Sequence, residues 1–282
     1  FVFNVDPLRR LDTYQRMKVR NGCVSAVTTG GPKIIAVVLN SGKDRYDWTH
    51  IDSYAALEKV RADLRMEDPD SPVMSGTAFV SGRADNSCEL VLEPLISKVR
   101  LRSLSCDFLG KPYEEEALTD VRVYLTNVSS SYRIMDRSGD SVAETINTAG
   151  LNANDLSALL SPGMVYSVLN GPVGVAGVKP DLEFCCYPNT CREESLGSRF
   201  TRIVIEGKIR GITYYWPIDV NRSDFGKVQG DAGICRNCCY DFDVVLTRTG
   251  SYSPDIPVSR AEVELVMRLS PWTLKDGTTE IY

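Results

Sequence analysis

The sequence predicts an all-β protein with minor helices, folded as two antiparallel β-sandwich domains in tandem. Many short segments alternate apolar and polar residues with period two, the pattern of a strand with one buried face. Helical spacing appears only over residues 53–66 and 154–160. The 282 residues are enough for two domains of ordinary size. Many short strands with few helices are typical of sandwich domains.

The clearest strand pair lies in residues 201–218. On each side of Arg210-Gly211, apolar side chains recur at alternate positions: Ile203, Ile205, Ile209, Ile212, Tyr214, Trp216 and Ile218. The positions between the first isoleucines carry more polar residues, so this strand has one apolar and one more polar face. An Arg-Gly break between two such runs predicts a β-hairpin in a half-buried antiparallel sheet.

The same alternation places the other elements in chain order. In the first half we expect strands at 1–5, 24–28, 33–40, 88–92, 98–102 and 121–126. A helix is expected over 53–66, where Asp52 or Ser53 can cap the first turn. In the second half we expect a short helix or turn at 154–160 and strands at 166–169, 182–186, 240–247 and 261–268.

Residues 129–150 are the predicted domain boundary. This stretch is rich in Ser, Asp, Asn and Gly, and the alternation is lost there. The boundary gives an N-terminal sandwich over residues 1–133 and a C-terminal sandwich over residues 134–282.

Composition narrows the class of protein. The net charge of -5 does not favour nucleic acid as a partner. No apolar run approaches the ~20 residues that cross a bilayer. Nine cysteines are many for a reducing cytosol, so an exported compartment is expected. The start FVFNVDPLRR indicates a mature or trimmed chain whose targeting segment is already gone.

Three parts of the sequence resemble the fimbrillin-like proteins, the subunits of type V pili in Bacteroides-type bacteria. The first is GPKIIAVVLN at 31–40 with SYAAL at 53–57, and the second is LVLEPLISKVRLRSL at 90–104. The third is TRIVIEGKI at 201–209, followed by ICRNCCYDFDVVLTRTGSYSPDIPV at 234–258 and a strand ending in Pro271-Trp272. The resemblance implies that both sandwiches are transthyretin-like.

The same resemblance implies a function. The chain would be a structural subunit of a cell-surface fimbria, as base anchor or as accessory or tip subunit, with other fimbrial subunits as partners. A lipid on a cysteine upstream of Phe1 would hold it to the outer membrane. A host or bacterial surface ligand is a further partner. The alternative is a monomeric surface adhesin or glycan-binding β-sandwich protein.

Fimbrillin-like subunits are implied to assemble by strand donation, in which a neighbour's strand fills a groove left by a missing one. Phe1, Phe3 and Val5 resemble the family's second strand and are the predicted groove edge. The predicted donor is the C-terminal segment, with apolar residues Trp272, Leu274, Ile281 and Tyr282. The alternative for this segment is the last strand of its own sandwich.

Two cysteine clusters are the densest reactive groups. They contain Cys185, Cys186 and Cys191, and Cys235, Cys238 and Cys239. Disulfides between facing clusters are predicted, and free buried thiols and zinc or redox chemistry are the alternatives.

No catalytic residue, metal site or cofactor is predicted, and the chain is not expected to be an enzyme. His50 is the only histidine, so any mechanism with a histidine base would have to use it. Its position in a polar loop before the predicted helix indicates an exposed side chain.

Overall fold

A computed structural model describes residues 1–42, 45–82, 87–136, 144–195, 199–222 and 232–272. Seventeen strands are present: β1 Val2–Asn4, β2 Leu11–Thr13, β3 Lys33–Leu39, β4 Arg61–Asp63, β5 Met74–Val80, β6 Glu93–Pro94, β7 Ser97–Cys106, β8 Thr119–Thr126, β9 Val128–Ser129, β10 Ser131–Arg133, β11 Thr145–Ile146, β12 Tyr166–Val168, β13 Leu182–Cys186, β14 Arg202–Ile209, β15 Ile212–Asp219, β16 Cys238–Leu246 and β17 Val263–Pro271. The α-helices are α1 Tyr54–Leu57 and α2 Ala153–Ser157, and 3-10 turns lie at Leu64–Met66 and Pro162–Met164. The all-β class with minor helices is confirmed.

Residues 1–94 contain one five-stranded antiparallel sheet, which we call the first sheet. Its strand order is β2-β1-β3-β5-β6. Its own core is small and contains Phe3, Ala36, Ile51 and Leu57. The two short strands β4 and β10 pair with each other beside it.

The larger part of the fold is a sandwich of two four-stranded sheets. The front sheet has the order β12-β8-β14-β15, and the back sheet has the order β13-β7-β16-β17. Alternate residues of both sheets are fully buried in one core that includes Val99, Leu101, Val123, Leu125, Ile203, Ile205, Tyr240 and Phe242. One pairing differs from the predicted antiparallel pattern, because β16 runs parallel to β7.

The sheets do not divide at residues 133 and 134. Both β7 and β8 precede that point, yet β7 pairs with β13 and β16, and β8 pairs with β12 and β14. The change of sheet lies between β6 and β7. The division of the chain into two tandem sandwich domains, over residues 1–133 and 134–282, stays a prediction.

The predicted hairpin is confirmed. Strand β14 pairs with β15 from Arg202 opposite Asp219 to Ile209 opposite Ile212. Arg210 and Gly211 in the turn have φ angles of 51° and 78°. Two positive φ angles are the signature of a type I′ turn, whose twist matches that of the flanking strands.

The helix predicted over 53–66 stops after one turn. Ser53 caps it as predicted, because its Oγ accepts the Ala56 N–H at 3.3 Å. Beyond Leu57 the chain turns into β4, whose pairing with β10 buries Ala62 completely. Tertiary pairing therefore overrides the helical spacing.

Two predicted strands are wrong, and β5 is the longest of the strands that the sequence analysis missed. Residues 24–28 and 88–92 are not strands, whereas β5 lacks a clear alternation in the sequence. A Cβ on Gly76 of β5 would lie 2.1 Å from the Val91 carbonyl oxygen. The glycine thus lets residues 90–91 cross the strand closely, a contact that no local pattern reveals.

Arg236 joins the sandwich to the first sheet. Its guanidinium donates to the carbonyl oxygens of Pro94 at 2.9 Å, Asp136 at 3.1 Å, Ser75 at 3.0 Å and Glu93 at 2.5 Å. It also donates to the Ser75 hydroxyl at 3.0 Å. One side chain therefore satisfies carbonyls from three separate chain segments.

Replacing Arg236 with Ala is expected to lower the free energy of unfolding by about 2–3 kcal/mol, the range for losing hydrogen bonds to a charged donor. Urea unfolding measures the change. Arg192→Ala is the control, since Arg192 is an exposed arginine of the same chain. Equal stability of the two variants would contradict the proposed role of Arg236.

Candidate strand-pairing edges

Strand β1 is not the open edge that the sequence predicted. It lies between β2 and β3 and pairs with both. Phe3 is fully buried, and the Phe1 ring lies 4.8 Å from Tyr14 and 5.2 Å from Trp48, while Val5 is half exposed. The described strands therefore leave no groove beside β1, because β2 and β3 both pair with it. A part for Phe1, Phe3 and Val5 in strand exchange stays a prediction.

The first sheet instead has an incompletely paired strand at β5. This strand pairs with β3 along its whole length, from Met74 to Val80. On its other side β6 pairs only with Met74 and Ser75. Phe79, in the part that β6 does not reach, is 62% exposed. The described residues therefore leave part of one backbone edge of this sheet without a paired strand.

Strand β17 is a second and longer edge. It pairs with β16 at nine consecutive positions without a register shift. Among the described residues no other strand pairs with it. An edge strand presents a row of N–H and C=O groups that can pair with another chain. The alternation at 261–268 was visible in the sequence, but its position at the sheet edge was not.

The predicted donor segment begins directly after β17. The Trp272 N–H donates to the Asn237 carbonyl at 3.0 Å, and the Lys98 ammonium lies 4.5 Å from the centre of the Trp272 ring. Trp272 thus packs on its own back sheet. Leu274, Ile281 and Tyr282 lie outside the described residues.

All nine cysteines are free thiols in the structure, so the predicted bridges between the two clusters are not present in it. Cys185 in β13 and Cys239 in β16 both lie opposite Lys98 of the intervening β7. Two strand spacings separate their backbones by about 9–10 Å. A disulfide needs Cα atoms within roughly 7 Å, so this arrangement prevents a bridge.

Burial makes several of these thiols unreactive. It raises the pKa of Cys106, Cys185 and Cys239 to about 12, and it also raises the pKa of Cys186. A thiol with such a pKa is protonated at neutral pH and is a poor nucleophile. No group of three or more metal-ligating side chains is found in the described parts of the chain.

His50 is exposed, as predicted. Its imidazole is 88% exposed and lies 3.7 Å from the Asp47 carboxylate. An exposed pair of this kind lacks the enclosed surroundings that shift the pKa of a general base in an active site.

One polar position on the predicted solvent face is buried. Arg202 of β14 is 1% exposed and donates to Asp219 at 2.6 Å and to both Glu194 oxygens at 2.7 Å. Burial raises the pKa of the Asp219 carboxyl, and the Arg202 charge opposes that shift. Paired charges explain how this arginine is accommodated in the interior. Its alternation with isoleucines indicated a polar face and gave no sign of burial.

Neither a family model nor a curated protein matches the chain. Several solved structures do match it. A protein of Bacteroides eggerthii assigned to cell adhesion aligns with a TM-score of 0.68 and 16% identity, covering 96% of this chain and 88% of that one. A fimbrilin of Porphyromonas gingivalis aligns with a TM-score of 0.60 and 15% identity, covering 88% and 82%. The chain shares the fimbrilin fold.

A third similar structure is the tip fimbrial protein Mfa3 of Porphyromonas gingivalis, solved with a C-terminal truncation. It has a TM-score of 0.51 and 13% identity, and the match covers 96% of this chain and 92% of that one. The resemblance to fimbrillin-like proteins is thus confirmed at the level of the fold. In the described residues, neither α-helix has the length or composition of a membrane-spanning helix.

Thiol labelling tests the arrangement of the cysteines. With a maleimide under native conditions, we expect Cys23 and Cys88 to react first, because both are exposed. Cys106, Cys185 and Cys186 should react only after unfolding, since they are buried and their pKa values are raised. Peptide mass spectrometry assigns the sites.

The control is the same labelling in denaturant, where all nine cysteines should be modified. A non-reducing digest in which a peptide containing Cys185 or Cys186 is linked to one containing Cys238 or Cys239 would contradict the free-thiol arrangement.

Proposed function

We propose that this chain is a structural subunit of a cell-surface fimbria and joins its neighbours by pairing of β-strands. The observation that carries the proposal is the fold. The structural alignment covers 88% of the chain in the comparison with a fimbrilin and 96% in the comparison with a tip fimbrial protein. The proposal places the protein outside the cell and gives it no catalytic role.

The open strand edges support assembly by strand donation. A donated strand satisfies unpaired backbone groups and covers apolar surface in one step. In this proposal the acceptor is the part of β5 that β6 leaves unpaired, where Phe79 is exposed. The donor is the predicted segment from Trp272 to Tyr282. Trp272 stays on its own back sheet, and Leu274, Ile281 and Tyr282 are the apolar residues that would enter the groove. The segment follows directly on β17, an edge strand.

The place in the fimbria and the membrane attachment are part of the same proposal. A lipid on a cysteine upstream of Phe1 would hold a base anchor to the outer membrane. An accessory or tip subunit would contact other fimbrial subunits, and a host or bacterial surface ligand. The similarity to the tip fimbrial protein Mfa3 supports the tip role.

A second candidate function is that of a monomeric adhesin that binds glycans. One observation favours it: Tyr252 is 77% exposed, and its ring lies 5.3 Å from that of Tyr214, which is nearly buried. An exposed aromatic ring that is held in place by a second ring can stack against the apolar face of a sugar. Glycan binding that is lost in Tyr252→Ala, by a chain that does not self-associate, would favour this function.

The fimbrial role is tested in the bacterium that makes the protein. We expect the full chain in sedimentable filaments and in ladders of subunits that resist mild detergent. The double variant Leu274→Asp, Ile281→Asp should remain outside the filaments, because charged side chains on the donor oppose its burial in an apolar groove. Thr279→Asp is the control, since it adds a charge to the same segment without removing an apolar residue.

Filament fractions that lack the unmodified chain would overturn the fimbrial role. If the double variant enters filaments as well as the unmodified chain does, the role stands and the assignment of the donor segment is wrong.

A further inference from the structure

Within the described residues, strand β17 lacks most of the usual protection of an edge strand. Natural edges are commonly short, bulged or covered by a loop or helix, or they carry proline or charged residues, especially lysine. This strand has nine residues, its register with β16 is unbroken, it contains no lysine, and its one proline is the last residue. A regular edge of this length, whose only charges are one glutamate and one arginine, indicates a partner strand.

The inner side of β17 is also incompletely covered. On the neighbouring strand β16, the inward residues Tyr240, Phe242 and Val244 are 0–1% exposed. Their cross-strand partners on β17 are the apolar residues Leu269, Met267 and Leu265. These three pack against the same core but remain half-buried. The sandwich core therefore reaches the surface along this edge.

The outer side of β17 carries opposite charges in a symmetric arrangement. Glu264 and Arg268 are both exposed, and they stand two residues before and two residues after Val266. Val266 is itself 53% exposed. An antiparallel strand of the same sequence, centred on Val266, would place each Glu264 opposite an Arg268. Opposite charges in such cross-strand pairs stabilise a sheet.

We propose that β17 pairs antiparallel with β17 of a second copy of this chain, about a two-fold axis through Val266. The outer face then has one Glu264–Arg268 pair on each side of the paired Val266 side chains. On the inner face each Leu265 lies opposite Met267 of the second copy, and each Val263 lies opposite Leu269. The two back sheets become one continuous eight-stranded sheet.

The charges select this register. Shifting the centre of symmetry by one residue, to Leu265 or Met267, places Glu264 opposite Val266 or Ser270 and removes both charge pairs. The existing contacts permit the pairing. Arg268 donates to Asp243 at 2.5 Å through one of its five N–H groups, so other donors remain for a second carboxylate. The Glu264 carboxylate has no hydrogen bond or ion pair with any other described residue.

A two-fold pairing of identical edges closes on itself and gives a dimer, not a filament. It uses only the edge of the sandwich, so it does not depend on the fimbrial role or on the donor segment. Its test is made on the purified full chain, whereas the test of the fimbrial role is made on filaments from cells.

Sedimentation of the purified full chain over a range of concentrations is expected to show a monomer–dimer equilibrium. Glu264→Arg should raise the dissociation constant about tenfold, because it replaces two attractive cross-strand pairs with two repulsive ones. Adding Arg268→Glu to that variant exchanges the charges and should restore most of the affinity. Glu115→Arg makes the same change of net charge at an exposed loop position and should leave the dimer unchanged.

Thermal unfolding of each variant separates weakened pairing from weakened folding, since Arg268→Glu also removes the contact with Asp243. A full chain that stays monomeric at all concentrations would overturn the proposal. So would a chain that dimerises only after residues 273–282 are removed, because its own C-terminal segment would then be the occupant of the edge. A dimer that is equally stable with Glu264→Arg would use another surface and would also overturn it.

Discussion

The parallel pairing of β7 with β16 is the constraint on which the sandwich depends. Arg100 of β7 donates to Asp241 of β16 at 2.5 Å across 141 residues of sequence. Parallel neighbours cannot be joined by a tight turn, so the connecting chain must cross a face of the sheet. Here the connection supplies the four strands of the front sheet, which covers the inner face of the back sheet. One non-local pairing thus explains why the two sheets are stacked.

This topology also decides which edges remain open. On one side of β7 the back sheet ends at β13, and on the other side it ends at β17 beyond β16. Because β17 is the last strand of the described chain, the C-terminal segment starts at an open edge. In the proposed function these edges are the parts of the fold that act, because they carry the backbone groups that would pair with a neighbour. The exposed His50 and the buried thiols are consistent with that proposal.

The cysteines illustrate how topology changes the reading of a sequence pattern. Their number and clustering favour disulfides, and clusters on adjacent strands would be close enough to form them. With β7 between Cys185 and Cys239, the two thiols are instead small buried residues on either side of Lys98. Their raised pKa values follow from the burial that this packing imposes.

The sequence by itself determined the all-β class, the hairpin of β14 and β15, the Ser53 cap and the resemblance to fimbrillin-like proteins. These features depend on alternation, turn residues and caps, which are set by neighbouring residues along the chain. Only the tertiary structure decided that β1 is paired on both sides, that β7 and β8 belong with the later strands, and that β17 is an open edge. The physical reason is that alternation specifies which face of a strand is buried, whereas backbone hydrogen bonds to distant strands decide which neighbour it has.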